Sequence, residues 1–166
     1  MVGNVKAHTK NKDMNILGIG PLLAIVGIVM AAILALFARM VGWSPALPSP
    51  WREWAFGSGL ILLAIGMYFW ISAAICVRQA FGSHRLAQTG AFRFSRNPMY
   101  AGFIVFIIPG LAFVLNDLLL IAISLVMFVA FKMLVGQEER YLAEQFGAEF
   151  ERYRKSVPQL IPFIRL

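Results

Sequence analysis

Two short segments, residues 84–100 and 132–144, hold most of the side chains that could carry out chemistry. The first contains His84, its only obvious base, and Arg96, whose guanidinium can donate two parallel hydrogen bonds to a carboxylate. The second contains the pair Glu138-Glu139, and such carboxylates accept hydrogen bonds from hydroxyl or ammonium groups. These groups predict a site that binds and aligns a charged, polar ligand.

Metal and disulfide chemistry are not expected. The single cysteine, Cys76, lies in an apolar stretch, which excludes a disulfide framework and a cysteine-based zinc site. The glycines of the apolar runs, such as Gly59 and Gly66, are more typical of close helix packing than of a nucleotide-binding loop.

The composition indicates where the two polar segments must lie. Of the 166 residues, 60% are hydrophobic and 14% are charged, against about 45–50% and about 25% in ordinary soluble domains. A soluble domain of this size could not bury that much apolar surface, so the excess must face lipid. The formal net charge of +7 comes from basic residues between long apolar runs, which favours contacts with membrane lipids over nucleic acid. The sequence predicts one all-α integral membrane domain over residues 1–166.

Four apolar runs predict a polytopic bundle of about four transmembrane helices. Residues 16–38 and 54–77 contain no charge, and each is longer than the about 20 residues that a span needs. We therefore predict that residues 16–77 form the first two transmembrane helices.

The other two runs predict a short helical hairpin. Residues 101–115 and 118–135 are separated by the polar pair Asn116-Asp117. At about 1.5 Å per residue the third run reaches only about 22 Å. It therefore either begins earlier, near Pro98, or stops short of the far membrane surface, and Pro109-Gly110 should kink it.

The distribution of lysine and arginine predicts the orientation of the bundle. Twelve of the fifteen lie before the first helix, in the connector after the second helix or in the tail, whereas Arg39 and Arg52 lie on the other side. The positive-inside rule then places residues 1–15, both termini and the site in the cytosol. The membrane itself stays open between the plasma or inner membrane of a prokaryote and the endoplasmic reticulum.

The tail, residues 137–166, has a different character. Aromatic and charged side chains alternate in it at helical spacing, which predicts an amphipathic cytosolic helix on the membrane surface or against the bundle. Val157-Pro158 should end this helix, and Ile161-Pro162-Phe163 should continue as a rigid apolar strap. Residues 78–166 thus combine a connector, a hairpin and a tail, and both polar segments lie at the same end of the hairpin.

A series of motifs fills this second half of the chain. In order they are His84-Arg85-Leu86-Ala87-Gln88-Thr89-Gly90-Ala91-Phe92, Arg96-Asn97-Pro98-Met99-Tyr100, Gly102, Glu138-Glu139, Phe146-Gly147, Tyr153, Val157-Pro158 and Ile161-Pro162-Phe163. The series resembles the isoprenylcysteine carboxyl methyltransferase family, whose relatives include the phospholipid N-methyltransferases. The first two helices resemble that family only in being apolar.

The resemblance implies that S-adenosylmethionine is the methyl donor and that the acceptor is a lipophilic small molecule or lipid that enters from the membrane. Carried over by position, the donor contacts are His84, Arg85, Leu86, Ala87, Phe92, Asn97, Tyr100 and Glu138. We assign Arg96 and Glu139 to catalysis. Because methyl transfer is an in-line displacement, the protein mainly aligns the reactants, and a carboxylate acceptor needs no general base.

Two positions depart from the family pattern. Asn97 replaces the histidine that is commonest there, and because asparagine does not titrate, an essential proton transfer at this position is not expected. Residues 132–137 hold one cation, Lys132, where the eukaryotic prenylcysteine enzymes carry an arginine-rich stretch.

Several functions therefore stay open. Carboxyl O-methylation of an isoprenylcysteine-like acceptor is favoured, followed by phospholipid N-methylation. A reductase-like membrane enzyme that uses NADPH on a steroid or polyprenol is a third alternative, although residues 99–103 lack the acid typical of that group. A membrane scaffold without enzymatic activity is the fourth, and the oligomeric state is not predicted.

Overall fold

The computed structural model describes residues 18–43, 45–83 and 85–164, and every regular element within them is helical. A 3₁₀ helix, Gly90–Arg93, and a π-helix, Gly102–Ile107, accompany six α-helices. The α-helices are Gly20–Val41 (α1), Trp51–Ser83 (α2), Pro98–Ala101 (α3), Ile108–Leu115 (α4), Leu119–Phe146 (α5) and Ala148–Ser156 (α6). The predicted all-α class is confirmed, and four helical stretches are long and apolar enough to cross a membrane.

The first two spans are α1 and α2. Pro21 lies in the first turn of α1, where its missing N–H is not needed, and Gly42 ends the helix in the left-handed conformation. The predicted start at residue 16 lies outside the described residues. Large apolar side chains such as Ile28 and Ile61 are exposed on both helices, as expected for helices that face lipid.

The predicted hairpin is confirmed, and its first arm begins at Pro98. The arm Pro98–Leu115 consists of α3, the π-helix and α4 and has 18 residues. Asn116 reverses the chain in the left-handed conformation, with φ 53°. The carboxylate of Asp117 then accepts a hydrogen bond from the N–H of Leu119 at 3.0 Å, which supports the first turn of α5.

A kink was predicted at Pro109-Gly110, and the structure has a π-helix, Gly102–Ile107, just before this proline. Pro109 lacks an N–H, and its ring crowds the carbonyl of the residue four positions earlier, Val105. A wider π turn relieves that crowding. The hydroxyl of the buried Ser124 on α5 donates to the carbonyl of Ile104 within the π-helix, which supplies a partner for a buried main-chain group.

Paired glycines set the contact between α2 and the hairpin. A Cβ on Gly59 would lie 2.8 Å from the carbonyl oxygen of Gly110, and one on Gly66 would lie 2.9 Å from that of Gly102. The backbones therefore touch at both positions. The two glycines are seven residues apart on α2 and eight residues apart on the hairpin, and the π-helix accommodates the additional residue.

The tail differs from the prediction at its start. We expected a separate helix from residue 137, but α5 continues through Gly136 and ends at Phe146, before Gly147. A single glycine inside a helix costs only about 1 kcal/mol relative to alanine and does not end it. At about 1.5 Å per residue, a helix of this length spans about 42 Å, more than the about 30 Å of a bilayer core. Its last turns therefore extend to the end of the bundle. The amphipathic tail helix is α6, which buries Phe150 and Tyr153.

Different segments of the chain meet at the two ends of the bundle. At one end, the loop between α1 and α2 meets the hairpin tip, where the N–H of Leu47 donates to Asn116 Oδ1 at 2.9 Å. At the other end lie the start of α1, the end of α5, the connector and α6. The buried core between them includes Leu23, Ile104 and Phe131.

Candidate functional site

The two polar segments, residues 84–100 and 132–144, meet at one end of the bundle. The connector supplies Arg96 and Asn97, α5 supplies Lys132 and the pair Glu138-Glu139, and the tail supplies Arg154 and Gln159. These residues are far apart along the chain, and the hairpin and the long α5 bring them to one place.

A buried ion pair joins the two residues assigned to catalysis. Arg96 Nη1 lies 3.1 Å from Glu139 Oε1, and each side chain is only 11% exposed. Arg154 Nε lies 3.9 Å from Glu139 Oε2 but is half exposed, so its contribution is screened by solvent. Burial lowers the pKa of Arg96 and Glu139 opposes this effect, and an arginine remains charged at neutral pH.

The guanidinium of Arg96 is not fully used. Within the described part of the chain, its buried Nε and Nη1 atoms have no hydrogen-bond partner, because the contact with Glu139 is an ion pair without hydrogen-bond geometry. A buried donor without a partner is costly, and a ligand that carries an anionic group would satisfy it.

The strap, which in the structure comprises residues 157–164 after the end of α6, closes one side of the site. The N–H of Arg96 donates to the carbonyl of Pro158 at 2.9 Å, and Asn97 Nδ2 donates to the carbonyl of Gln159 at 2.9 Å. Asn97 precedes α3, but its side chain does not cap that helix. Its own N–H donates to Ser95 Oγ at 3.1 Å, so the main-chain donors of Arg96 and Asn97 are both occupied within the chain.

Gln159 is a site residue that the sequence analysis missed. Its Nε2 donates to Glu139 Oε1 at 2.9 Å, and its Oε1 accepts from Lys132 Nζ at 2.8 Å. The one signal in the sequence was that Gln159 is a polar residue inside an otherwise apolar strap.

Glu138 is held by the beginning of α1. The N–H of Ile19 donates to Glu138 Oε1 at 2.6 Å, and the hydroxyl of Tyr100 donates to the same oxygen at 3.0 Å. The residue before, Gly18, has φ +55°, and a Cβ there would collide with this carboxylate. Two of the residues predicted to contact the donor, Tyr100 and Glu138, are thus in direct contact with each other.

The other predicted donor contacts lie along the connector. Arg85 is exposed, Leu86 and Ala87 are half-buried, and Phe92 lies in the 3₁₀ helix, whereas His84 lies outside the described residues. The hydroxyl of Tyr153 on α6 donates to the carbonyl of Phe92 at 2.7 Å. Burial raises the pKa of Tyr153, so this donor stays protonated at neutral pH.

The connector is also tied to α6 at its surface, where Gln88 Nε2 donates to Glu149 Oε1 at 2.7 Å. Hydrogen bonds through Gln159 link Asn97 to Glu139, and the ion pair with Glu139 joins the side chain of Arg96 to them. Among the described residues, no group of three His, Cys, Asp or Glu side chains is placed to hold a metal ion.

Known proteins are similar to this chain in sequence. A family model described as phospholipid methyltransferase matches residues 53–149, more than half of the chain. The protein-S-isoprenylcysteine O-methyltransferase of Schizosaccharomyces pombe is 32% identical over 116 residues, which cover 64% of this chain and 49% of that protein. Protein-S-isoprenylcysteine O-methyltransferase B of Arabidopsis thaliana is 26% identical over 144 residues, which cover 81% of this chain and 72% of that protein.

A probable protein-S-isoprenylcysteine O-methyltransferase of Oryza sativa subsp. japonica is 30% identical over 140 residues, which cover 77% of this chain and 73% of that protein. The chain thus spans about half the length of the S. pombe relative (49%) and a larger share of the two plant relatives. Together with four helices able to cross a membrane, these matches identify the chain as a multi-pass membrane protein that belongs to the phospholipid methyltransferase family.

Proposed function

We propose that this protein uses S-adenosylmethionine to methylate the carboxylate of an isoprenylcysteine-like lipid at the polar end of its bundle. The observation that carries the proposal is the buried Arg96–Glu139 pair, in which Arg96 Nε and Nη1 make no hydrogen bond to any described residue. Three relatives named protein-S-isoprenylcysteine O-methyltransferase support this choice of acceptor.

The charges around the pair favour an anionic acceptor. Arg96 and Arg154 form ion pairs with Glu139, whose Oε1 also accepts a hydrogen bond from Gln159 Nε2. Lys132 Nζ donates to the other end of the same Gln159 amide. Cationic donors therefore dominate what the site can offer a ligand. A carboxylate is attracted to them and needs no general base, whereas a cationic amine would be repelled and would first have to lose a proton.

The donor-binding residues suit the groups that S-adenosylmethionine carries. Both hydrogen bonds of Glu138 fall on Oε1, which leaves Oε2, as far as the described residues go, to accept from a ribose hydroxyl or an ammonium. Phe92 can offer a ring face to adenine or to the sulfonium. When bound, S-adenosylmethionine supplies a methyl group activated by its sulfonium charge. The chain's own part is to align the acceptor carboxylate with that methyl group and to exclude water.

A groove in the apolar part of the bundle gives a lipid chain a place beside the site. It has a volume of about 290 Å³ and is lined by the hairpin, α5 and the strap, including Ile104, Pro109, Leu125, Phe128 and Ile161. A small cavity shares two of these residues, Phe128 and Ile161, and reaches Lys132 and Gln159. An acceptor whose chain fills the groove would carry its polar head toward Lys132 and the Arg96–Glu139 pair. We infer that this end faces the cytosol, because most of the basic residues lie there.

Donor binding and methyl transfer are measured separately in the test. S-adenosylhomocysteine should raise the melting temperature of the detergent-solubilised protein, and NADPH should not. Radiolabelled S-adenosylmethionine should label N-acetyl-S-farnesylcysteine as a base-labile methyl ester and leave phosphatidylethanolamine unlabelled. Stabilisation by NADPH alone would refute the methyltransferase, and labelled phosphatidylethanolamine would move the assignment to N-methylation.

Variants locate the donor site. Glu138→Ala and Asn97→Ala should each weaken S-adenosylhomocysteine binding about tenfold or more, as expected for the loss of a hydrogen bond to a charged ligand. Glu144→Ala, an exposed glutamate on the same helix, is the matched control and should bind normally. If Glu138→Ala and Asn97→Ala both bind like the wild type, the donor site lies elsewhere.

A further inference from the structure

Gln159 connects three parts of the site that are distant in sequence. Its side chain bonds Glu139 and Lys132 on α5, and its carbonyl accepts from Asn97 Nδ2 at 2.9 Å and from Ser95 Oγ at 3.3 Å in the connector. Four hydrogen bonds thus fix one residue of the strap in place. Both ends of its amide are used, and each is bound to a charged group.

The amide divides the hydrogen-bonding capacity of Glu139. Oε1 of Glu139 is shared by Gln159 Nε2 at 2.9 Å and Arg96 Nη1 at 3.1 Å, and Oε2 faces Arg154 Nε at 3.9 Å. A two-pronged arginine–carboxylate pair requires both oxygens to face the guanidinium. The observed arrangement prevents that geometry and leaves Arg96 Nε without a hydrogen-bond partner among the described residues.

We propose that Gln159 is a positioning residue that holds Glu139 in a one-point contact with Arg96 and holds Lys132 at the end of the apolar groove. Both cations then stay directed at the acceptor's carboxylate. This role rests on the proposed function. Without the amide, Glu139 is free to rotate and to form a two-pronged pair with Arg96, and Lys132 loses its anchor.

Kinetics of Gln159→Ala in the full chain test this role. We expect the KM for N-acetyl-S-farnesylcysteine to rise about tenfold, the effect of losing one charge-assisted hydrogen bond. The dissociation constant of S-adenosylhomocysteine should stay within about twofold of the wild type, because this role concerns the acceptor alone. Gln145→Ala is the matched control, since Gln145 bonds only within α5, to Tyr141, among the described residues.

Gln159→Glu gives a second readout that a purely structural role would not produce. The new carboxylate keeps an acceptor for Lys132 but, when ionised, cannot donate to Glu139 and repels it. Protonation restores the donor. Activity relative to wild type should therefore be low at pH 8 and should recover as the pH falls toward 6. The charged groups that face this position are Lys132 and Glu139 from α5, Arg96 from the connector and Arg154 from α6.

The outcomes separate the two proposals. A wild type that methylates the acceptor beside a Gln159→Ala variant with unchanged KM overturns the role of Gln159 alone. The role is also overturned if Gln159→Ala weakens donor binding and lowers the melting temperature together with raising the acceptor KM. A Gln159→Glu variant whose activity does not recover at lower pH overturns it as well. A wild type that transfers no methyl group overturns the proposed function, and the role of Gln159 with it.

Discussion

Breaking the Arg96–Glu139 pair from one side should destabilise the protein far more than removing both partners. Each side chain is 11% exposed, so a single substitution leaves the other charge buried and uncompensated. Such losses cost about 3–5 kcal/mol, whereas replacing both partners by apolar residues is often close to neutral. We expect Glu139→Leu to lie at the upper end, because it leaves Arg96 unpaired and removes the acceptor of Gln159.

Arg96→Leu should lie at the lower end of the same range. Glu139 then still accepts from Gln159 at 2.9 Å and still faces Arg154 at 3.9 Å. For a chain of this size, about 1 kcal/mol corresponds to about 2–4 °C in melting temperature. Arg96→Leu should therefore lower the melting temperature by about 6–12 °C, Glu139→Leu by more, and the double variant by only a few degrees.

The assay is a double-mutant cycle on the detergent-solubilised protein, with Arg154→Ala as an exposed-pair control that should cost less than about 1 kcal/mol. Folding and activity should separate in the double variant, because it regains stability without regaining the cation that the acceptor needs. Additive losses, with a double variant that melts at the sum of the two single shifts, would refute the reasoning that the pair is buried and coupled.

Two further predictions concern the bundle and its pH response. Gly66→Ala places a Cβ 2.6 Å from Ile107 Cγ1 and 2.9 Å from the carbonyl oxygen of Gly102. Thermal melting should therefore report a loss of about 1–3 kcal/mol in the free energy of unfolding. Gly57→Ala is the control, because a Cβ there meets no atom within 4 Å, and it should melt like the wild type. Burial raises the pKa of Tyr153 above its ordinary 10.0, so its stabilising contribution is complete below pH 10 and is lost as the pH rises further. Melting temperatures from pH 8 to 11 should therefore fall more steeply above pH 10 for the wild type than for Tyr153→Phe, and parallel curves would contradict this account.

The sequence predicted the helices well because lipid imposes a simple length requirement on each span. Runs such as 54–77 are long and uncharged, and the polar Asn116-Asp117 pair predicted the reversal that the structure has. The continuation of α5 through residues 137–146 was not predicted, because the change from apolar to amphipathic composition resembles a helix boundary although no residue there breaks the helix.

The candidate site was only partly predictable for a different reason. Its residue types suggested charged ligands, and the pairing of Arg96 with Glu139 joins the two segments that the motifs had singled out. The contacts of Gln159 and the hydrogen bond from Ile19 to Glu138 depend on how helices distant in sequence are packed, and no local periodicity reports such contacts.

The π-helix also determines how the two ends of the hairpin are rotated relative to each other. Each residue of an α-helix turns the chain by about 100°, so one residue added or removed between Gly102 and Gly110 would rotate everything beyond it by that angle. The tip at Asn116, which is fixed to the α1–α2 loop, would then no longer be in phase with Tyr100 and the site at the other end. The length of this segment is therefore a constraint independent of its composition, and a hairpin transferred between relatives must preserve that residue count.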